Sequence, residues 1–369
     1  MSLNYIEEDI LKGLPPLAAV NATFGIEINA LGVEELFELY RRTGFLYPAK
    51  AARLLPHMDL VRENWHRLLT APDSLLYVLT SRNKDAGLAS IAVWRTTRDG
   101  WTWQHHVSDK NPLGSRSVML GGLAACILRG DEQAHQNWFR PENRFPARVF
   151  GSMVPALGEA AASVRRHMYF VMPRASIPAA DRAVQAIPYD RSQQENLCAL
   201  AIVARGGIYI TAEELDRDVE LRGLDELYQG AGLRRTRQVW LAYANRRGDQ
   251  PVGAALAYRG PLGVNFSYIE NRCDLLLDPT LPEHMRPAVV ASLLNASANA
   301  YSDFEIEEIP VIADQTAAPS LLGFGAEFLR EYCQGIWLKS GQPRLYRHVD
   351  SFYSRVLERA ERYQPSLTV

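Results

Sequence analysis

Two adjacent histidines, His105 and His106, end the run Trp103-Gln104-His105-His106 and form the strongest cluster of proton-transfer groups in the chain. An imidazole titrates near neutral pH, so it can take the proton of an attacking amine. Successive residues of a strand point to opposite faces, so one of the pair is expected to face a cleft and the other to pack or lie at the surface. Glu270 is the corresponding carboxylate of the second half, and it reads equally as a solvated edge residue. Two basic runs, Arg234-Arg235-Thr236-Arg237 and Arg165-Arg166-His167, read either as grips for a phosphate-bearing ligand or as solvated surface. Trp94, Trp101, Trp103, Trp138, Phe139, Arg140 and Arg144 mix aromatic faces with guanidinium groups. That mix suits a stacking groove or plain sheet packing. Tyr47 precedes Pro48, which keeps it out of helical conformation. No GxSxG, Walker, HExxH or GxGxxG motif is present.

The elements that must position these residues follow from periodicity. Residues 1 to about 30 read as an irregular lead-in with Pro15 and Pro16. Helical spacing marks 33–40 and 59–69, the second with Asp59 as N-cap. Strands are expected at 75–81 and 87–97, joined by Arg82-Asn83-Lys84-Asp85-Ala86, and at 101–108 after the turn Asp99-Gly100. A loop at 109–114, a buried helix at 115–128, a strand at 134–140, a short helix at 143–150 and a strand at 164–172 complete the first half. The second half repeats the order. It has a short strand at 184–189, helices at 194–205 and within 212–228, and strands at 238–244, 252–259 and 264–277. After these come a helix at 286–301, a strand at 308–313, a short helix at 317–322, a strand at 334–338 and an amphipathic helix at 346–363. Pro, Ala, Ser and Asp cluster between the copies, at 173–182.

This order resembles that of the GNAT acyltransferase superfamily, taken twice. The resemblance spans the chain from about residue 30 and implies an α/β (α+β) class with two GNAT-like domains, each a mixed, mostly antiparallel sheet flanked by helices. It implies domains at 31–174 and 175–345, followed by a C-terminal helix at 346–369. The family's phosphate loop, Gln/Arg-x-x-Gly-x-Gly/Ala, cradles the diphosphate of acyl-CoA at a helix N-terminus. Asn111-Pro112-Leu113-Gly114-Ser115-Arg116 lies at that place, so Asn111, Gly114, Ser115 and Arg116 are the implied acyl-CoA contacts, with Arg116 where the family has a small residue. The second copy, Glu283-His284-Met285-Arg286-Pro287-Ala288, has an acid and a proline where the cradle needs amides, and it reads as lost. The family's acid is a tyrosine on the last short helix. Phe150 and Leu322 stand at the two corresponding places, and neither has a proton to give.

With 369 residues, 40 Lys plus Arg against 42 Asp plus Glu and a net charge of -2, the chain lacks the field of a general nucleic-acid binder. Its four cysteines are scattered without metal spacing, which argues against a zinc site or a disulfide framework and fits a reducing cytoplasm. No stretch is long and apolar enough to span a membrane, and the first residues lack the apolar core of a signal peptide. Two functions remain open. One is an N-acyltransferase that uses acetyl-CoA, another acyl-CoA or an aminoacyl carrier to acylate an amine, with His105 or His106 as base and no metal. The other is a non-catalytic protein that binds a ligand or a partner in the same cleft.

Overall fold

The computed structural model describes residues 16–72, 75–83, 87–130, 132–244 and 250–363. The first half comprises α1 (Pro16–Phe24), β1 (Glu27–Ile28), α2 (Val33–Arg42), α3 (Pro48–Leu54), α4 (Met58–Thr70), β2 (Leu76–Asn83), β3 (Gly87–Arg95), β4 (Gly100–Ser108), α5 (Pro112–Arg129), β5 (Ala134–Phe139), α6 (Arg144–Val149), α7 (Met153–Leu157) and β6 (Ala162–Pro173). The second comprises β7 (Val184–Pro188), α8 (Gln194–Arg205), α9 (Gly207–Glu213), α10 (Arg222–Gly230), β8 (Thr236–Ala244), β9 (Gly253–Arg259), β10 (Cys273–Leu277), α11 (Arg286–Ser297), β11 (Glu308–Ala313), α12 (Ala318–Gly323), β12 (Glu327–Leu338) and α13 (Gln342–Tyr363).

The mixed α/β class and the repeated element order are both present. Local sequence explains the individual elements. In α2 the buried Leu36, Phe37, Leu39 and Tyr40 form one face, with Glu34 and Glu35 in the first turn and Arg41 and Arg42 in the last, matching the helix dipole. The helix α5 starts on Pro112 and stops at Gly130, whose φ of 65° suits a left-handed cap. Boundaries differ from the sequence reading in several places: α5 starts at Pro112, inside the expected 109–114 loop, β12 starts at Glu327 rather than 334, and 48–54 is helical. Part of the lead-in, from Pro16, is helical, and residues 1–15 lie outside the described residues, as do 84–86 of the β2–β3 link. His57, not Asp59, stands at the N-cap position of α4, without a side-chain cap hydrogen bond. Residues 260–272 leave the sheet as a loop with a short 3-10 turn, so β10 starts only at Cys273.

The sheet departs further from expectation. All twelve strands belong to one sheet, in the order β1-β2-β3-β4-β5-β12-β6-β11-β10-β9-β8-β7. The order reads as two copies facing each other, with the last strand of each half exchanged. β12 pairs with β5, β6 pairs with β11, and β6 and β12 lie side by side along Ala162–Val171 and Glu327–Trp337. Separate sheets in the two halves are therefore not what forms, and a cut near residue 175 would divide neighbouring strands. The exchange leaves neither half with an exposed inner edge, a surface that otherwise invites pairing with other chains. Every neighbouring pair is antiparallel except β4 with β5 and β10 with β11. One apolar core lies beneath α5 and α13, and a larger one joins the α2–α4 face to the second half.

Candidate functional site

The parallel pair β4–β5 opens after three residue pairs, Gly100–Ala134, Trp101–His135 and Thr102–Gln136. Beyond them the side-chain amides take over from the ladder. Gln104 Nε2 donates to the Trp138 carbonyl at 2.9 Å, and Asn137 Nδ2 donates to the Trp103 carbonyl. Past these two bridges the strands part around a cavity of about 660 Å3. His105, His106, Ser115, Asn137, Trp138 and Arg140 line it from the first half, Tyr47 and Lys50 from α3 and its cap, and Asn265, Phe266 and Ser267 from the 260–272 loop.

A bulge decides where the two histidines go. In the pairing of β3 with β4, Ser90 faces Val107 and Ala92 faces Gln104, so Ile91 alone stands opposite both histidines. His105 takes up the extra residue with a φ of 55°, a left-handed conformation that costs a non-glycine residue about 1 kcal/mol. The frame of alternation shifts by one. His105 leaves the Trp101–Trp103 row and enters a cage of Tyr40, Phe45, Trp65, Trp94 and Phe266, stacked on Trp65 with centroids 5.5 Å apart. Its Nδ1 is buried without a hydrogen-bond partner among the described residues. His106 turns to the α5 side, where its Nε2 lies 2.9 Å from Ser115 Oγ, and that hydroxyl lies 2.8 Å from the Tyr353 phenol. The two rings do point to opposite faces, yet both border the cavity, because it sits where the sheet is open. Burial pushes the His105 pKa far below the ordinary histidine range and brings His106 down to about 4. Both rings are therefore neutral at pH 7.

Two amides of the first turn of α5 are bonded from within the chain. Asn111 Oδ1 accepts the Gly114 amide at 2.7 Å, and the Asn111 carbonyl accepts the Ser115 amide at 2.9 Å. A Cβ on Gly114 would lie 2.3 Å from Asn111 Nδ2, so glycine here makes room for the cap. Arg116 Nη2 lies 2.6 Å from Asp350 Oδ1, and Ser115 is held by His106 and Tyr353. Asn111, Gly114, Ser115 and Arg116 are thus brought together, but their donors face one another and α13. They do not fit the diphosphate of an acyl-CoA. Tyr353 is a residue that sequence reasoning missed. Phe150 carries no hydroxyl at the family's place, whereas Tyr353 supplies a buried phenol from the C-terminal helix, and its only sequence signal is its position on the apolar face of that helix.

The matching place in the second half is filled. β10 and β11 pair only at Cys273–Val311 and Asp274–Ile312. Arg205 crosses the opening, with Nη2 2.9 Å from Asp274 Oδ1 and 3.1 Å from the Leu275 carbonyl, and with Nη1 on Asp314. Tyr209 adds a hydrogen bond to Asp274 at 2.8 Å. Glu213 collects Arg237, Arg272, the Tyr258 phenol and Gln136 of β5. Glu270 is buried and pairs with Arg235 at 2.7 Å, so it is neither a solvated edge residue nor open to a ligand. The run 234–237 is likewise no phosphate grip, because Arg235 and Arg237 are buried in these pairs and Arg234 holds Asp303 at 2.8 Å. His167 faces Asp314 at 3.3 Å, and Arg166 faces Glu331 at 3.3 Å. Trp94, Trp101 and Trp103 pack within the cores, while Trp138 and Arg140 reach the cavity. Among the described residues no group of three or more His, Cys, Asp or Glu stands together to hold a metal, and no helix is long and apolar enough to cross a membrane.

No family model matches the chain, and no curated protein matches it. Solved structures similar to it include a GCN5-related N-acetyltransferase from Sphaerobacter thermophilus, 11% identical, covering 85% of this chain and 96% of that chain at a TM-score of 0.40. A GCN5-related N-acetyltransferase from Kribbella flavida is 12% identical, covering 67% and 86%, with a TM-score of 0.35. A GCN5-related N-acetyltransferase-like protein from Streptococcus suis is 11% identical, covering 76% and 99%, with a TM-score of 0.34.

Proposed function

We propose that this chain acylates the amine of a small molecule in the cavity between β4 and β5, with an acyl thioester as donor. The observation that carries the reading is the opened parallel pair. Beyond Thr102 and Gln136 the two strand edges no longer pair with each other, and they part beside an imidazole that is neutral at pH 7. Strand amides at such an opening can bind the thioester carbonyl and stabilise the negative charge that develops on it. The amine nitrogen forms the new C–N bond as the C–S bond breaks. His106 accepts the proton that the amine loses, and Ser115 and Tyr353 behind it form a hydrogen-bonded chain through which a proton can move. His105 has a different role in this scheme, since its cage holds the end of β4 in the bulged form. Acyl-CoA is the donor implied by the resemblance, but the Gly114 and Ser115 amides, the Ser115 hydroxyl and Arg116 at the α5 end are held by Asn111, His106, Tyr353 and Asp350, so no step is assigned to the diphosphate.

The test is release of free thiol from acetyl-CoA and from acetyl-pantetheine with a panel of primary amines. Replacing His106 with Ala is expected to lower turnover about 10²-fold. Turnover that is unchanged in His106→Ala would remove the assigned base. A second reading, ligand binding without transfer, is favoured by the self-capped α5 end and by Phe150. It predicts saturable amine binding with no thiol released from either donor.

A further inference from the structure

Three cations from three separate elements meet around the Tyr47 phenol; Tyr47, Lys50 and Arg140 line the cavity, and Arg330 reaches the same phenol from β12. Arg330, at the bulge of β12, donates from Nη1 to Tyr47 Oη at 2.9 Å. Arg140, just past β5, donates from Nη2 to the same oxygen, and its guanidinium lies over the Tyr47 ring, 5.2 Å from the centroid. Lys50, one turn along α3, places its ammonium 4.2 Å from the Phe45 centroid and 5.1 Å from that of Tyr47. It donates to the Phe45 carbonyl at 3.3 Å. Among the described residues none of the three makes an ion pair, and Glu142, which also lines the cavity, pairs with none of them. Elsewhere the chain matches its inward-facing guanidiniums with carboxylates, as at Arg205, Arg235, Arg237 and Arg272. The Arg330 Nε–H is buried with no acceptor among the described residues.

Gathering like charges in a half-buried place is unfavourable unless an anion joins them. The cost is visible at Lys50, whose ammonium is brought down to about 7 by burial first and then by Arg140 and Arg330. The same two arginines draw the Tyr47 phenol below its ordinary value against the opposing effect of burial. A single carboxylate is satisfied by one guanidinium fork, whereas a phosphate monoester presents three oxygens and close to two negative charges.

We propose that Tyr47, Lys50, Arg140 and Arg330 form an oxyanion site for a phosphate monoester group carried by the small molecule that enters the cavity. That this molecule is the amine acceptor rests on the acyl-transfer reading; the anion site itself does not. Its place beside the histidines means that the phosphate would anchor one end of the ligand while the rest extends along the opened strands toward His106.

The probe is inorganic phosphate, titrated calorimetrically into the full chain at pH 6.5 and constant ionic strength, with acetate as the comparison anion and no acyl donor present. Saturable phosphate binding is expected, with acetate at least tenfold weaker. Lys50→Met and Arg140→Gln should each weaken phosphate about tenfold or more, and Arg140→Lys should restore part of the loss. Thermal melts without phosphate separate a lost site from a lost fold, and the variants are expected to melt no lower than wild type because like-charge repulsion is relieved. The proposal is overturned if phosphate fails to saturate, if acetate binds equally well, or if well-folded variants bind phosphate like wild type. Thiol release plays no part in this measurement, so the anion site and the acyl-transfer reading can fail separately.

Discussion

His105 and His106 were legible in the sequence as a chemical pair on a strand, and their opposite orientations followed from alternation. The bulge that chooses between them was not, because it depends on how many residues of β4 face Ile91 across the sheet, which no local pattern records. Burial is the main cause of their low basicity, and this gives a test by histidine ring carbon-13 NMR. Neither ring should titrate near 6.5, and His106 should stay neutral until about pH 4. The sign for stability follows from linkage. The unfolded chain binds more protons than the folded one below pH 6.5, so these rings contribute stability that is lost as pH falls from 6.5 toward 4. A ring titrating at 6.5 in the folded protein would show that it is in contact with water and not buried. Lys50 acts in the opposite part of the range. Its folded pKa of about 7 lies below the ordinary 10.5, so folding releases a proton between those values and stability rises with pH across the window. The melting temperature of wild type relative to Lys50→Met should therefore climb from pH 7 to 9, and a flat difference would place the ammonium in full contact with water.

Helix and strand types were largely readable from periodicity, since apolar spacing in α2 and in the β2–β4 meander reflects one buried face each. The use made of the α5 N-terminus was not. Asn111 reads as a phosphate-loop residue by position, but an Asn directly before a Pro-initiated helix is also a strong cap, and in the fold the cap wins. α13 then covers the same helix end through Asp350 and Tyr353, contacts that join positions far apart in the chain. Because these groups are spent, removing the diphosphate from the donor should cost little. Acetyl-pantetheine and acetyl-CoA are expected to bind within about threefold of each other, and a loss of a hundredfold or more on truncation would mean that α13 yields and the cradle opens. In the second half the element that fills the opening is α8, through Arg205. Arg205→Met leaves Asp274 as a buried carboxylate without its main partner, and denaturant unfolding should show a loss of about 3–5 kcal/mol. A loss below about 1 kcal/mol would show that Arg272 and Tyr209 suffice to hold it.

Taken as one body, the protein is two copies of a plan that share a sheet by exchanging their last strands. The repeat was visible in the order of elements; the exchange was not, because β6 and β12 carry the same kind of apolar pattern and the choice of neighbour is made by long-range packing. The consequence for folding is direct. Residues 1–174 expressed alone would lack β12 beside β5, and they should show no cooperative melt, while co-expression with residues 175–369 should yield a one-to-one complex that melts cooperatively. Two independently folded monomeric halves would contradict the exchanged arrangement. Symmetry of plan has not kept symmetry of use, since one opening is a cavity and the other is closed by Arg205. The claim that the open one is the working site is tested most directly by titrating ring-labelled protein with acetyl-pantetheine and following the histidine signals. His105 and His106 should shift together and saturably, while His284, exposed beside α11, stays in place. Saturable binding that leaves both cavity histidines unmoved would put the ligand elsewhere and end the account of this cavity as the site of acyl transfer.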